Sequence, residues 1–347
     1  MLTLTEKKPS TDGNTLDFLW LEITGRCNLT CTHCYALSSP QGTHGIMRGA
    51  DWERVLIQAK ELGCHRIQFI GGEPTTYLHL THLIRFAASL HLQIEVFSNL
   101  VIVKPDLWQV FEECHVSIAT SFYSVHPSIH EAITHGPHSF QRTVSNIQQA
   151  IERGLPLRVG LIEMREDQDI EETKRFLRML GVQRIGYDTI RAVGRGSTSL
   201  QVDQPEQALC GACARGKACV IPSGDVYPCV FSRWLSLGNV CQQPLKEILT
   251  GQNTIRTREK LQVFFNQRET ARNCMPGTEA ALQTQDLTSL LSYSPDDCEP
   301  FCEPWECSPD IPPCQPNTPC IPDWKEPCQP EKPCEPDEEK CPPDWDP

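Results

Sequence analysis

Between Leu16 and Ile190, short apolar runs alternate with helix-length amphipathic stretches. The runs predict strands at 19–24, 66–70, 94–98, 116–121, 157–163 and 183–187. The stretches between them, such as 51–62, 78–90, 140–153 and 170–180, space their apolar residues at i, i+3 and i+4, as helices lying on a sheet do. Gly63, Gly154 and Gly181 stand where three of these helices would end. Strand and helix in strict alternation imply a parallel sheet with crossover helices. Six strands are too few for eight-fold closure, so the fold class expected is α/β, as a partial (β/α)6 barrel over 16–195 or an open sheet of the same strand count.

The pattern breaks after residue 190. Residues 191–207, rich in Gly, Ser and Gln, read as a linker. A cysteine-rich extension over 208–292 follows, with a hairpin signal at 223–225, a short helix at 245–249 and weakly patterned helix beyond 251. Residues 293–347 are low-complexity, repeating Cys, Pro and an acidic residue. Proline at that density removes amide donors, so this segment lacks the means to build an ordinary core.

Charge sharpens the division. The net charge is −13, from 44 acids and 31 bases, and residues 294–347 hold 15 of those acids with only 3 of the bases. The body is therefore nearly neutral, and nothing in the chain is basic enough to follow a nucleic-acid backbone. The start of the sequence is polar with no signal-peptide core, and the apolar run at 18–23 is interrupted by Glu22, so no membrane span is expected. That favours a cytoplasmic protein, where thiols stay reduced. Nineteen cysteines in such a chain point to metal ligation more than to disulfides.

The most specific feature is Cys27-Asn-Leu-Thr-Cys31-Thr-His-Cys34-Tyr35, a C-x3-C-x2-C run directly after the first predicted strand. Three thiolates on one tight loop can hold three irons of a cubane and leave the fourth open to a small molecule. A zinc site completed by His33 or His44 is the other reading of the thiols. Gly71-Gly72-Glu73-Pro74 follows the second strand; its glycines allow close backbone approach, and the Glu73 carboxylate can accept from an ammonium. Together the two motifs resemble the radical S-adenosylmethionine enzymes. That resemblance implies a [4Fe-4S] cluster on Cys27, Cys31 and Cys34, with the aromatic Tyr35 completing the motif, and S-adenosylmethionine received at Gly71, Gly72, Glu73 and Pro74. It also implies cleavage of that cofactor to a 5'-deoxyadenosyl radical.

Weaker correspondences follow from the same resemblance. Ser98, Asn99 and Ser121 end the third and fourth strands where relatives place polar groups against the cofactor, although such residues also serve as local caps. Arg191 and Arg195 are candidates for contact with the adenosine or a substrate carboxylate, with a structural arginine as the alternative for each. His130-Glu131 stands where many relatives have His-Asp and then an arginine.

Cys210, Cys213, Cys219 and Cys229, with Gly224 five residues before the last, resemble the SPASM-type extension of such enzymes. This implies an auxiliary iron-sulfur cluster, a zinc ribbon being the alternative. Cys298, Cys302 and Cys307 are candidates for a second auxiliary cluster. Enzymes with this extension commonly modify ribosomally made peptides, so the resemblance implies a precursor peptide as substrate and a flavodoxin or ferredoxin as electron donor. Radical oxidation or rearrangement of a small molecule such as a sugar alcohol is the second reading. A non-catalytic electron-transfer or metal-binding protein is the third, and Gly71-Gly72-Glu73 argues against it.

Overall fold

The computed structural model describes residues 16–198, 200 and 204–273; the segment 274–347, including Cys298, Cys302 and Cys307, lies outside the described residues. All six expected strands form: β1 (Phe18–Thr24), β2 (Arg66–Gly71), β3 (Gln93–Phe97), β4 (Ser117–Phe122), β5 (Leu157–Glu163) and β6 (Arg184–Thr189). They pair in sequence order and in parallel, β1 to β2 through to β5 to β6. Among the described residues the sheet stays open at β6, which has one neighbour there, and its strands alternate with helices as the partial barrel requires.

The crossovers are α1 (Gly49–Glu61), α2 (Leu80–Ser89), α3 (Pro105–Glu113), α4 (Pro127–Thr134) with α5 (Ser139–Glu152), and α6 (Ile170–Met179). Asp169 caps α6 by accepting from Glu172 N at 2.7 Å. Gly63, Gly154 and Gly181 follow α1, α5 and α6 with φ of +90°, +68° and +96°, the left-handed region that glycine enters without a Cβ clash. In β1, Leu19, Leu21 and Ile23 face the helices and join one core with Trp52, Phe69, Leu83 and Phe111. The alternate residues, Trp20 and Glu22, face the other side of the sheet, together with Cys219.

The cysteine-rich extension is part of the same sheet. β7 (Lys217–Val220) lies parallel to β1, pairing Phe18 with Lys217 through Leu21 with Val220. The predicted hairpin then turns it into antiparallel β8 (Asp225–Tyr227), and β9 (Gly238–Asn239) completes nine strands in the order β6-β5-β4-β3-β2-β1-β7-β8-β9. Helices α7 (Leu245–Thr250) and α8 (Gln252–Asn273) close the described chain. The stretch expected to be a linker contains two short 3-10 turns, Gly194–Thr198 and Pro205–Ala208. Among the described residues no helix is long and apolar enough to cross a membrane.

Candidate active site

The loop carrying Cys27, Cys31 and Cys34 leaves the carboxyl end of β1, the end at which parallel α/β sheets place their sites. Cys27 is buried, Cys31 and Cys34 partly so. Cys27 Sγ faces two donors, Leu29 N at 3.4 Å and Asn99 Nδ2 at 3.8 Å. Burial is the main reason that the Cys31 thiol is pushed up to about 12, with the neighbouring Cys34 adding to it; burial and the Glu73 charge likewise push Cys27 well above an ordinary thiol. Ligation must displace these protons, so a metal with high thiolate affinity is needed to fill the loop.

Arg195 holds the loop from below. Its Nε donates to Cys31 O at 2.7 Å, its Nη2 to Ser38 O at 2.8 Å, and its backbone N to Cys34 O at 3.0 Å. The guanidinium considered for an adenosine contact is thus engaged with the cysteine loop's own carbonyls. Arg191 is engaged as well, with Asp188 at 2.6 Å and with Ala208 O at 3.1 Å.

The Gly71-Gly72-Glu73 turn sits directly beside this loop. Gly71 has φ of +131°, and a Cβ at Gly72 would lie 2.2 Å from Arg26 O. The two glycines therefore let the turn close against the chain leading into Cys27, with Gly72 N donating to Thr24 O at 2.7 Å and Glu73 N to Arg26 O at 2.8 Å. Glu73 is 1 % exposed. Its Oε1 accepts from Thr75 N at 3.0 Å and Ser98 Oγ at 2.8 Å, and its Oε2 from Asn99 N at 2.7 Å. Burial raises its pKa against the pull of these donors. The carboxylate expected to meet an ammonium is already a brace between the β2 and β3 loops, with one acceptor position left on Oε2. Ser98 and Asn99 act in that brace, and Asn99 also donates to Asn28 Oδ1 at 2.7 Å. Ser121 lies partly buried at the end of β4, opposite Gly160 of β5.

In the extension, Cys213 and Cys229 are buried with their sulfurs 3.0 Å apart. Cys210 joins them: hydrogen bonding with Cys213 draws its thiol down to about 5. Cys219 lies on the Glu22 side of the sheet and donates to Glu22 Oε1 at 3.7 Å. Trp20 packs against both the Cys213–Cys229 cluster and the Cys219 cluster. Among the described residues no three His, Cys, Asp or Glu side chains converge as a single ion would require. The two histidines considered for zinc have other partners, His44 Nδ1 with Thr24 Oγ1 at 2.8 Å and His33 Nε2 with Tyr123 Oη at 3.3 Å. Thiolates spread over the separate irons of a cubane suit a looser array better.

Sequence reading used Glu22 only as an interruption of an apolar run, and missed Arg233. The signal was there: a charge inside a central parallel strand needs a buried partner. Arg233 Nη2 supplies it, 2.7 Å from Glu22 Oε1.

Residues 21–177 match the family model of the Radical SAM superfamily and residues 210–275 that of an iron-sulfur cluster-binding domain, SPASM. The first implies a [4Fe-4S] cluster and S-adenosylmethionine as cofactors, the second auxiliary iron-sulfur clusters. Among curated relatives, the antilisterial bacteriocin subtilosin biosynthesis protein AlbA of Bacillus subtilis is 23% identical over 264 residues, 65% of this chain and 58% of that protein. A PqqA peptide cyclase of Bradyrhizobium diazoefficiens is 25% identical over 150 residues, 42% of this chain and 39% of its own. The chain thus spans about half the length of the curated relatives it matches. Streptococcus suis SuiB, solved bound to the precursor peptide SuiA, shares the fold with a TM-score of 0.57 at 15% identity, over 70% of this chain and 66% of that one. The loop of three cysteines, the glycine turn packed on it and the two family matches agree: residues 21–177 form a radical SAM domain and residues 210–275 a SPASM domain.

Proposed function

We propose that this protein is an enzyme that uses radical chemistry on S-adenosylmethionine to modify a ribosomally made peptide, by cross-link, thioether formation, epimerisation or side-chain oxidation. The observation that carries the reading is the packing of the Cys27–Cys34 loop against the Gly71–Glu73 turn at the carboxyl ends of β1 and β2, with Cys219 on the neighbouring strand β7 and the Cys213–Cys229 pair in the segments that flank it. Peptide as substrate is supported by the relatives that act in bacteriocin biosynthesis and as a peptide cyclase.

In this reading Cys27, Cys31 and Cys34 hold the [4Fe-4S] cluster, and Gly71, Gly72 and Glu73 line the seat of the cofactor's methionine part, with Tyr35, Pro74, Ser98, Asn99, Ser121 and Arg191 around it. Bound there, the cluster would supply one electron to the cofactor's sulfonium, whose S–C5' bond would break to give methionine and a 5'-deoxyadenosyl radical. The chain's own residues position and shield. Leu29 N and Asn99 Nδ2 donate toward Cys27 Sγ, which favours the thiolate. Arg195 fixes the loop carbonyls, so the three sulfurs keep one spacing. Ile70, Phe97, Val230 and Phe231 form an apolar wall beside Tyr35 that keeps water from a reactive carbon radical.

Cys210, Cys213, Cys219 and Cys229 hold one auxiliary cluster, and Cys298, Cys302 and Cys307 are the thiols for any second one. A flavodoxin or ferredoxin of the cytoplasm delivers the electron. The test is anaerobic reconstitution with iron, sulfide, dithionite and S-adenosylmethionine: the wild type releases 5'-deoxyadenosine, and Cys31→Ala does not. Equal release from both overturns the radical assignment. A cluster-dependent mass change in a candidate peptide is expected, whereas deuterium transfer into 5'-deoxyadenosine from small alcohols alone would replace the peptide by the small-molecule reading.

A further inference from the structure

The two cysteine groups are tied together by a buried charge pair that belongs to neither motif. Glu22 lies inside β1, 2 % exposed, on the face opposite Leu21 and Ile23. A lone carboxylate there would be costly, and Arg233 answers it by donating from Nη2 to both carboxylate oxygens. Arg233 lies four residues past Cys229, in a turn that Ser232 closes: Cys229 N donates to Ser232 Oγ at 2.9 Å and Ser232 Oγ to Cys229 O at 3.0 Å. The same guanidinium stands 5.3 Å from the ring centre of Tyr35, the residue after Cys34, and Phe231 meets that ring edge-on at 5.4 Å. Cys219 Sγ completes the set, 3.7 Å from Glu22 Oε1. One carboxylate and one guanidinium therefore touch the loop of Cys34 on one side and the segments of Cys219 and Cys229 on the other.

The geometry points to Glu22 and Arg233 as positioning residues that fix the auxiliary thiols relative to the radical-site loop, so that communication between the two iron sites depends on the pair. This rests on the reading of both cysteine groups as iron-sulfur sites. Buried ion pairs are best attested as devices of register, because an alternative arrangement strands a charge. Here the register concerns two elements more than 200 residues apart in sequence.

The experiment uses the full chain, reconstituted with iron and sulfide and reduced with dithionite, and reads the magnetic coupling between the two reduced sites by electron paramagnetic resonance. Iron and sulfide content is measured beside it. Wild type is expected to show coupled signals; Arg233→Met, with its full iron load, loses the coupling, and Arg233→Lys retains most of it. Should Arg233→Met fail to fold, Glu22→Gln combined with Arg233→Met leaves no stranded charge and is expected to lose the coupling in the same way. Unchanged coupling in loaded Arg233→Met, or in that double variant, overturns the proposal, as does absence of coupling in a fully loaded wild type. Failure of the underlying reading looks different: the triple Ala variant of Cys27, Cys31 and Cys34 would then hold no iron or sulfide, and both ideas fall together.

Discussion

His130, on α4, is 1 % exposed, and its ring lies among those of Phe122, Tyr123 and Phe140 at 4.8, 5.2 and 5.7 Å between centres. Burial lowers its pKa to about 4, since the imidazolium would lose its water among these rings. The native state therefore refuses a proton that the unfolded chain accepts near 6.5. Stability from this neutral histidine is fully present above the unfolded value and is lost as pH falls from there toward about 4. Moving from about pH 7.5 to about pH 5 removes about 2 kcal/mol by this linkage. The variant His130→Phe should escape that loss, so the wild-type-to-variant stability difference in urea should change by about that amount between the two pH values. A pH-independent difference would refute the account. In the sequence, His130-Glu131 could be seen only as a departure from a family pattern. What it is became visible once Phe122 and Phe140, eight and ten residues away in opposite directions, packed on it.

At the scale of elements, β7 has the most consequence. It covers the outer edge of β1, and its Ala218 and Val220, with Val226, Leu237, Leu245 and Ile248 behind it, complete the core that β1 shares with the helices. A chain ended at residue 207 would expose the backbone edge of a long, mostly apolar strand together with that core, a template for intermolecular pairing. Such a truncation should accumulate as aggregate and elute in the void volume of a sizing column; a monomeric, cooperatively melting product would show the extension to be dispensable. Nothing local in the sequence announced this docking. β7 is four residues long, too short for periodicity to register, and its partner strand lies nearly 200 residues earlier. The six body strands were legible because buried parallel strands read as apolar runs between long amphipathic helices. Helices α3 and α4 were harder to see, at nine and eight residues, but each begins on a proline at its first position, Pro105 and Pro127. Of the site, the cysteine loop and glycine turn were legible as motifs. The braces were not: Glu73 with Ser98 and Asn99, Arg195 with Cys31, and Glu22 with Arg233 are pairings across the fold, which spacing along a chain does not encode.

For the whole molecule, charge distribution becomes a statement about rates. The net charge is −13, and residues 294–347 carry 15 acids against 3 bases, so the segment accounts for almost all of it. Metal on its thiols would not relieve this, because four deprotonated cysteines outweigh a doubly charged centre. In the proposed reading, an acidic electron donor would meet a net charge of the same sign as it nears the protein. Repulsion between exposed charges changes association rates more than affinities of formed complexes, and it is screened beyond about 8 Å at physiological salt. Deleting residues 294–347 should therefore speed reduction by an acidic flavodoxin several-fold at low ionic strength, with the advantage vanishing as salt approaches about 0.5 M. Reduction by dithionite, a small ion whose encounter is set by the local loop, supplies the internal control for cluster integrity and should change far less. Both rates are read from the bleaching of cluster absorbance under anaerobic stopped flow. A flavodoxin rate that is the same in both chains at low salt would mean that the acidic segment lies outside the donor's path, and a slower rate in the shortened chain would make that segment part of the donor's docking surface.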